Sequence, residues 1–458
     1  MKWSLASLSL SMLLSSLGTS IANVALPTLT EAFGVSFQAV QWIVLAYLLA
    51  VTTLIVAIGR LGDTIGRRRL LLTGIVLFTA ASAAGGSAST LWQLIMARAV
   101  QGLGAAAMMS LTMAFVGEMI PQEKTGQAMG LLGTMSAVGT ALGPSLGGFL
   151  IWEFGWRAIF LVTLPLGSLA FLLASRQLPR DRPRVDGERA GFDYPGMVLL
   201  AVSLAAYSLA MTIGRGRFSE INAGLLLAST VGIGLFVRIE KTAKAPLVRL
   251  TMFVDPVFRS GLVASMLVAT VMMVTLVVGP FYLSRALALD AASVGLIVSV
   301  GPIVVAIAGL PAGRIADRFG AQVMSRIGLA AIAAGCFILS VSPISLGVVG
   351  YIGPLVVVTA GYALFQTANN TVVMKNISAE RRGVVSSLLN LSRNLGLITG
   401  ASMMGTVFTL ASGTADVSTA SAEAVAGGMR ITFAVASALI VLALAAGQSR
   451  KTEILPAT

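Results

Sequence analysis

Long apolar runs and short charged turns alternate along the whole of this chain. Each run holds about 20 residues, enough for a helix to cross roughly 30 Å of hydrocarbon. Fourteen such runs are expected, at roughly 5–28, 38–59, 70–88, 91–117, 126–150, 157–175, 194–213, 221–238, 259–283, 291–312, 324–342, 347–374, 383–410 and 429–448. The period-2 alternation of a barrel strand is absent, and helix is the other way to satisfy backbone polar groups in lipid. The apolar run that begins at the N-terminus continues through Ala22-Asn23-Val24-Ala25-Leu26-Pro27 without a clear cleavage site, so it is read as the first span.

The polar turns repeat. Gly59, Arg60, Asp63 and Gly66 match Gly313, Arg314, Asp317 and Gly320, all at an offset of 254 residues. Gly126, Gly139 and Gly143 match Gly383, Gly396 and Gly400 at 257. Spans one to six therefore pair with spans nine to fourteen, and the two spans between the hydrophilic stretches 176–189 and 239–257 are an insertion. The expected organisation is a six-helix bundle over 1–178, linkers carrying two inserted helices over 179–257, and a second six-helix bundle over 258–458. Duplicated helical bundles of this kind are what secondary transporters are built from.

Composition sharpens the picture. With 56% hydrophobic residues, 11% charged and a mean hydropathy of +0.91, the chain reads as an all-α integral membrane protein. The net charge of +13 raises nucleic acid as a partner, but the distribution argues against it. With the termini in the cytoplasm, only five of the 31 Lys and Arg residues fall outside (Arg157, Arg215, Arg217, Arg285 and Arg430) and two fall within spans, leaving 24 on the cytoplasmic side. That asymmetry sets the orientation, and all five Trp residues lie near span ends, as an aromatic belt requires. The lipid bilayer is the expected partner. There is no His and one Cys, so His catalysis, a cysteine metal cluster and an internal disulfide are excluded, and no metal site is expected.

Polar residues inside the spans are the candidate chemistry. A guanidinium well inside a span costs about 2.5–3.5 kcal/mol, so Arg98 should face a cavity or a partner. Gln101, Gly102 and Ala105 follow at helical spacing and give one face a polar-to-small stripe. Gln366, Asn369 and Asn370 share a face of span twelve, and Asn390, Arg393 and Asn394 repeat that spacing on span thirteen. Such stripes line a cavity or serve as interhelical hydrogen-bonding groups, and both readings stay open. In the turn 59–69, Asp63 is placed to cap the next helix, with Arg67 and Arg68 toward lipid headgroups. The turn serves as a topology anchor, as a latch that makes and breaks, or as both. Gly139, Gly143, Gly147 and Gly148 around Pro144 allow close helix approach and a kink in span five. All eighteen Asp and Glu residues map to loops or span ends, leaving two arginines as the charges within the membrane.

These motifs resemble the major facilitator superfamily, and specifically its fourteen-span drug:proton antiporter family. The turn at 59–69 looks like the superfamily's loop-2/3 signature, and Arg98-Ala-Val-Gln101-Gly102 like its span-4 motif. Gly139 to Gly148 look like the span-5 motif of exporters, and Ile21 to Pro27 like the end of the span-1 motif. One departure stands out: Gly18 occupies the place where that family usually carries an Asp.

The resemblance implies two six-helix bundles plus two inserted helices and alternating access. It also implies export of small amphiphilic compounds across the inner membrane, with the proton gradient rather than a cofactor as the energy source. It further implies a substrate cavity that includes Asn23, a switch that includes Arg314 and Asp317, and a span-5 hinge. A single chain is expected to suffice. A dedicated exporter of one metabolite, a facilitator without proton coupling, and a non-transporting receptor on the same scaffold are the alternatives.

Overall fold

The computed structural model describes residues 2–35, 37–181, 193–213, 219–243, 246, 248–374, 377, 382–413 and 421–448. Among these, fifteen α-helices carry nearly all of the chain, joined by short 3-10 and π turns. They are α1 (Lys2–Phe33), α2 (Phe37–Ile65), α3 (Arg67–Gly86), α4 (Leu91–Met119), α5 (Gln122–Phe154), α6 (Ala158–Leu161) and α7 (Thr163–Gln177), then α8 (Tyr194–Thr212) and α9 (Glu220–Thr242). The rest are α10 (Pro256–Phe281), α11 (Ala291–Phe319), α12 (Ala321–Val341), α13 (Gly347–Met374), α14 (Arg382–Ala411) and α15 (Ala422–Gln448).

Among the described residues, twelve helices are long and apolar enough to cross a membrane, thirteen if the bent α11 is one span. The fourteen expected runs all fall on helices, but two fall short of a plain span. The α8 run is short, apolar over Pro195–Met211. α11 bends by 49° between Gly309 and Pro311, where a proline removes a ladder donor.

Helix starts are set by side-chain acceptors that take up amides the helix itself leaves bare. Thr90 and Gln93 form a reciprocal capping box on α4. Asp193, Asp255 and Asp290 cap α8, α10 and α11 through the amides of Gly196, Val257 and Ser293. In the serine-rich α1, the hydroxyls of Ser11, Ser15 and Thr19 donate back to carbonyls one turn earlier, which hides their polarity within the helix.

The helices fall into two compact units. The first holds α1 to α9 and the start of α14 up to Leu391. The second holds α10 to α13, α14 from Ser392 onward, and α15. The inserted pair α8–α9 thus groups with the first unit, and α14 contributes to both. A core around Ile43, Leu94, Leu150 and Phe160 fills part of the first unit. One around Ile332, Cys336, Phe365 and Phe433 fills the second.

Within each unit the same crossings recur. On α3 and α4, an ideal Cβ at Gly104 would lie 2.5 Å from the Gly74 carbonyl oxygen and 2.6 Å from the Phe78 nitrogen. On α12 and α13, one at Gly361 would lie 2.8 Å from the Gly328 oxygen and 3.0 Å from the Ile332 nitrogen. Gly74 to Gly328 is an offset of 254, and Gly104 to Gly361 is 257. A second duplicated crossing joins α1 to α5 at Gly139 and α10 to α14 at Gly396. Ser20 donates to the Gly139 carbonyl at 3.3 Å and Thr270 to the Gly396 carbonyl at 3.1 Å. The repeat read from charged turns is therefore also a repeat of backbone contact.

Candidate functional site

α4 brings Arg98 and Gln101 to one face, one turn apart, and the tight crossing with α3 encloses them. Arg98 is 1% exposed and Gln101 2%. The Arg98 Nε donates to the Ile43 carbonyl on α2 at 3.0 Å, and Nη1 donates to Gln101 Oε1 at 2.6 Å. Gln101 Nε2 then donates to Ser82 Oγ on α3 at 2.7 Å, and Ser82 donates to the Phe78 carbonyl at 2.8 Å. The guanidinium carbon lies 4.2 Å from the Tyr47 ring centroid, over its face. Tyr47 in turn donates its hydroxyl proton to the Ser15 carbonyl at 2.6 Å.

The electrostatics of this cluster are one-sided. A carbonyl oxygen, an amide and an aromatic face receive the cation, and each is neutral. The cation–π contact contributes about 2 kcal/mol when desolvated, against an effective penalty of several kcal/mol for burying an ion. Arg98 Nη2 is buried with no hydrogen-bond partner among the described residues. Gly18, at the position where the resemblance leads one to expect an acid, faces this same cluster. An ideal Cβ there would lie 3.1 Å from the Tyr47 hydroxyl and 3.1 Å from the Phe78 ring.

The other sequence candidates sit apart from this cluster. Asn23 on α1 is exposed, and its amide reaches only the Thr19 carbonyl, at 3.5 Å. On α13, Gln366 is half-buried, while Asn369 is buried and donates to the Gly261 carbonyl at 3.1 Å. Asn370 is buried with its Oδ1 unpartnered, and on α14 Asn394 is buried with its Nδ2 unpartnered. Arg393 beside it is half-buried. Asn390, one turn earlier in α14, falls in the first unit and donates to the Ser386 carbonyl at 3.1 Å and to Met113 Sδ at 3.6 Å.

The stretch 59–69, expected as a turn, is mostly helical: 59–65 end α2, 67–69 begin α3, and Gly66 alone separates them. Gly66 takes φ 113°, a backbone that favours glycine. The side chains of Arg60 and Asp63 lie outside the described residues. Two early amides of α3 are taken by a residue that no sequence motif singles out: Asp181 accepts from the Arg68 amide at 2.9 Å and the Arg69 amide at 3.1 Å. Arg68 also donates to the Ser175 carbonyl, and Arg67 pairs with Glu118 at 3.0 Å. In the second half Arg314 and Asp317 are exposed on α11.

Beside that stretch, Ser110 on α4 and Ser387 on α14 share a hydrogen bond of 2.7 Å and are both fully buried. Gly59 makes room for it. An ideal Cβ at residue 59 would lie 2.3 Å from Ser387 Oγ and 2.9 Å from Ser110 Oγ. Asp181, Ser387, Tyr47 and Ser82 escape sequence reading because isolated polar residues in apolar or basic stretches carry no periodicity.

Pro144 lies inside α5, between Gly143, whose place is hemmed by Ser20, and Gly147, which faces Ile21. Gly148 meets only Val24, at 4.0 Å. Among the described residues no group of three metal-ligating side chains occurs.

The profile of the Major Facilitator Superfamily matches residues 8–401. The uncharacterized transporter YebQ of Escherichia coli K12 is 32% identical over 386 residues, 84% of each chain. The drug efflux pump JefA of Mycobacterium tuberculosis is 33% identical over 394 residues, covering 84% of this chain and 76% of its own. Among solved structures, the human organic anion transporter MFSD10 superposes with a TM-score of 0.71 over 98% of this chain and 99% of its own. At 16% identity, that likeness speaks for the fold alone.

Proposed function

The chain belongs to the major facilitator superfamily, and from that premise we propose that it exports small amphiphilic compounds across the cytoplasmic membrane by alternating access, as a fourteen-span antiporter driven by the proton gradient. That it is a multi-pass membrane transporter rather than an enzyme follows from the family. The observation that carries the export reading is its 33% identity to a drug efflux pump across 84% of the chain.

The fourteen-span count rests on treating α8 and the bent α11 as spans. The 17 apolar residues of Pro195–Met211 rise about 26 Å at 1.5 Å each, just under a hydrocarbon core of roughly 30 Å. The excess of Lys and Arg on one side supports cytoplasmic termini.

In this reading the site has two parts. Arg98 with Gln101 supplies polar contacts to cargo in the first unit, and Asn369, Asn370 and Asn394 are taken separately as the polar contacts of the second. The pair Ser110–Ser387 against Gly59 supplies a latch, a small contact that is made in one state and released in another. The stretch 59–69, held to Asp181 and Glu118, gives that latch a fixed seat.

The test is growth of an efflux-deficient bacterium carrying the chain, across cationic, neutral and anionic toxicants. Raised tolerance to several structurally unrelated amphiphiles is expected. Tolerance identical to that of the empty vector for all of them, with the protein present in the membrane, would refute the reading.

A further inference from the structure

The duplicated fold contains its own control for Arg98. The hairpins α3–α4 and α12–α13 cross at equivalent glycines, so positions at the same offsets occupy the same place in each. Arg98 then corresponds to Leu355, Gln101 to Val358, Ser82 to Cys336 and Tyr47 to Gly301. Contacts bear out the correspondence. An ideal Cβ at Gly335 would lie 2.6 Å from the Val358 side chain, and one at Gly301 would lie 3.8 Å from that of Leu355. Leu355, Val358 and Cys336 are 3%, 0% and 0% exposed and join one apolar core.

The same site in the same architecture is thus lined once by the apolar Leu355, Val358 and Cys336, beside a Thr359 whose hydroxyl is taken up by the Leu355 carbonyl, and once by a charged network. Packing does not require the charge. An apolar replacement of a buried polar network is commonly neutral or stabilising. The first half instead keeps a buried cation whose partners are all neutral and whose Nη2 edge, 99% enclosed with the rest of the residue, has nothing to donate to. A guanidinium in that position favours any state that brings an anionic oxygen to it, because charge-assisted hydrogen bonds in a low-dielectric site are the strong ones.

We propose that Arg98, through its buried and unpartnered Nη2, recognises the acidic group of an anionic amphiphile in a state of the cycle that opens this cluster, so that the exported cargo is an organic carboxylate or sulfonate. Tyr47, Gln101 and Ser82 are positioning residues. The ring and the Gln101–Ser82 bonds hold the guanidinium with its Nε and Nη1 already engaged, which leaves one edge to read the cargo. This inference rests on the export reading above and adds its substrate class.

The experiment uses inverted membrane vesicles containing the full chain, with carboxyfluorescein, Nile red and ethidium as anionic, neutral and cationic probes. Uptake of carboxyfluorescein above that of control vesicles, and faster than that of ethidium, is the expected result for the parent. A graft of the second-half trio, Arg98→Leu with Gln101→Val and Ser82→Cys, should stay monodisperse in detergent. It should lose carboxyfluorescein uptake by roughly tenfold or more, the scale of one hydrogen bond to a charged group. Its Nile red uptake should hold. Replacing chloride by inorganic nitrate should leave the parent's rate unchanged, because the cargo supplies the anion.

Three results would overturn the proposal while sparing the export reading. They are a graft that moves carboxyfluorescein as fast as the parent, a parent that moves ethidium but not carboxyfluorescein, and a rate that depends on chloride. The parent's own selectivity among the dyes decides the matter even if the graft misfolds. A parent that moves none of the three probes overturns the export reading itself.

Discussion

Replacing Gly328 by alanine tests whether the glycine crossings hold the repeat together. An ideal Cβ at that position would lie 2.6 Å from the Phe365 nitrogen, 2.8 Å from the Gly361 oxygen and 2.9 Å from the Phe365 Cα. All three are backbone atoms, so no side chain can swing away. Ordinary contact begins at 3.4 Å, so α12 and α13 must part locally by roughly 0.8 Å. A gap of that size forfeits a quarter to a half of each dispersion well, at about 0.1–0.2 kcal/mol per atom pair and tens of pairs per buried side chain. Ile332, Phe365 and Leu329 line this contact. The expected loss is about 3 kcal/mol, offset by about 1 kcal/mol of helix propensity gained over glycine. A net cost of about 2 kcal/mol corresponds to a fall in Tm of roughly 4–8 °C. Cys336, the single cysteine and fully buried eight residues further along α12, reports the transition through a thiol-reactive fluorophore that reacts on unfolding. Gly427→Ala on α15 is the matched control. Nothing lies within 4 Å of its ideal Cβ, so the propensity term dominates and Tm should hold or rise. The reasoning fails if Gly328→Ala melts at or above the parent, or if Gly427→Ala falls as far.

Two further outcomes follow from the first unit. Asp181→Ala removes the acceptor of two α3 amides and should cost about 1 kcal/mol in thermal unfolding, whereas Glu118→Ala, which breaks a partly exposed ion pair, should cost well under that. An equal effect of the two would place the stabilisation in charge rather than in capping. Gly59→Ala sets a methyl against the Ser110–Ser387 bond and should lower transport more than Tm, read by dye uptake and by the same thiol assay. Unchanged transport would remove that bond from the conformational cycle.

The fold was largely legible because lipid leaves few choices: apolar runs of sufficient length become helices, and charged turns mark their ends. The duplication showed in Gly59 and Gly313, which are far apart in sequence but sit near the C-terminal ends of α2 and α11. What the sequence could not show was distance. Arg98 reads as a cation near a cavity, yet the structure encloses it among α2, α3 and α4, because the glycine crossing at Gly74 and Gly104 draws two of those helices together. The spacing of Arg98 and Gln101 was visible. Their partners Tyr47 and Ser82 lie on other helices, where one hydroxyl among many apolar residues gives no signal. Asp181 was hidden for a different reason. It stands in a basic, proline-containing stretch that reads as a linker, while its carboxylate closes a helix more than a hundred residues earlier.

The paired glycine crossings also bear on how such a chain diversifies. A duplicated gene begins with two identical halves and must let them diverge without losing either scaffold. Here the places where backbones touch tolerate almost no change, so they pin both copies to one register. The positions between them are released. One copy could settle into Leu355, Val358 and Cys336 and keep the architecture sound, which left the other free to carry a charge that serves no packing need. Stability and innovation are thereby assigned to different copies of the same hairpin. New cargo preferences in relatives of this chain are to be sought where the two halves disagree at equivalent positions.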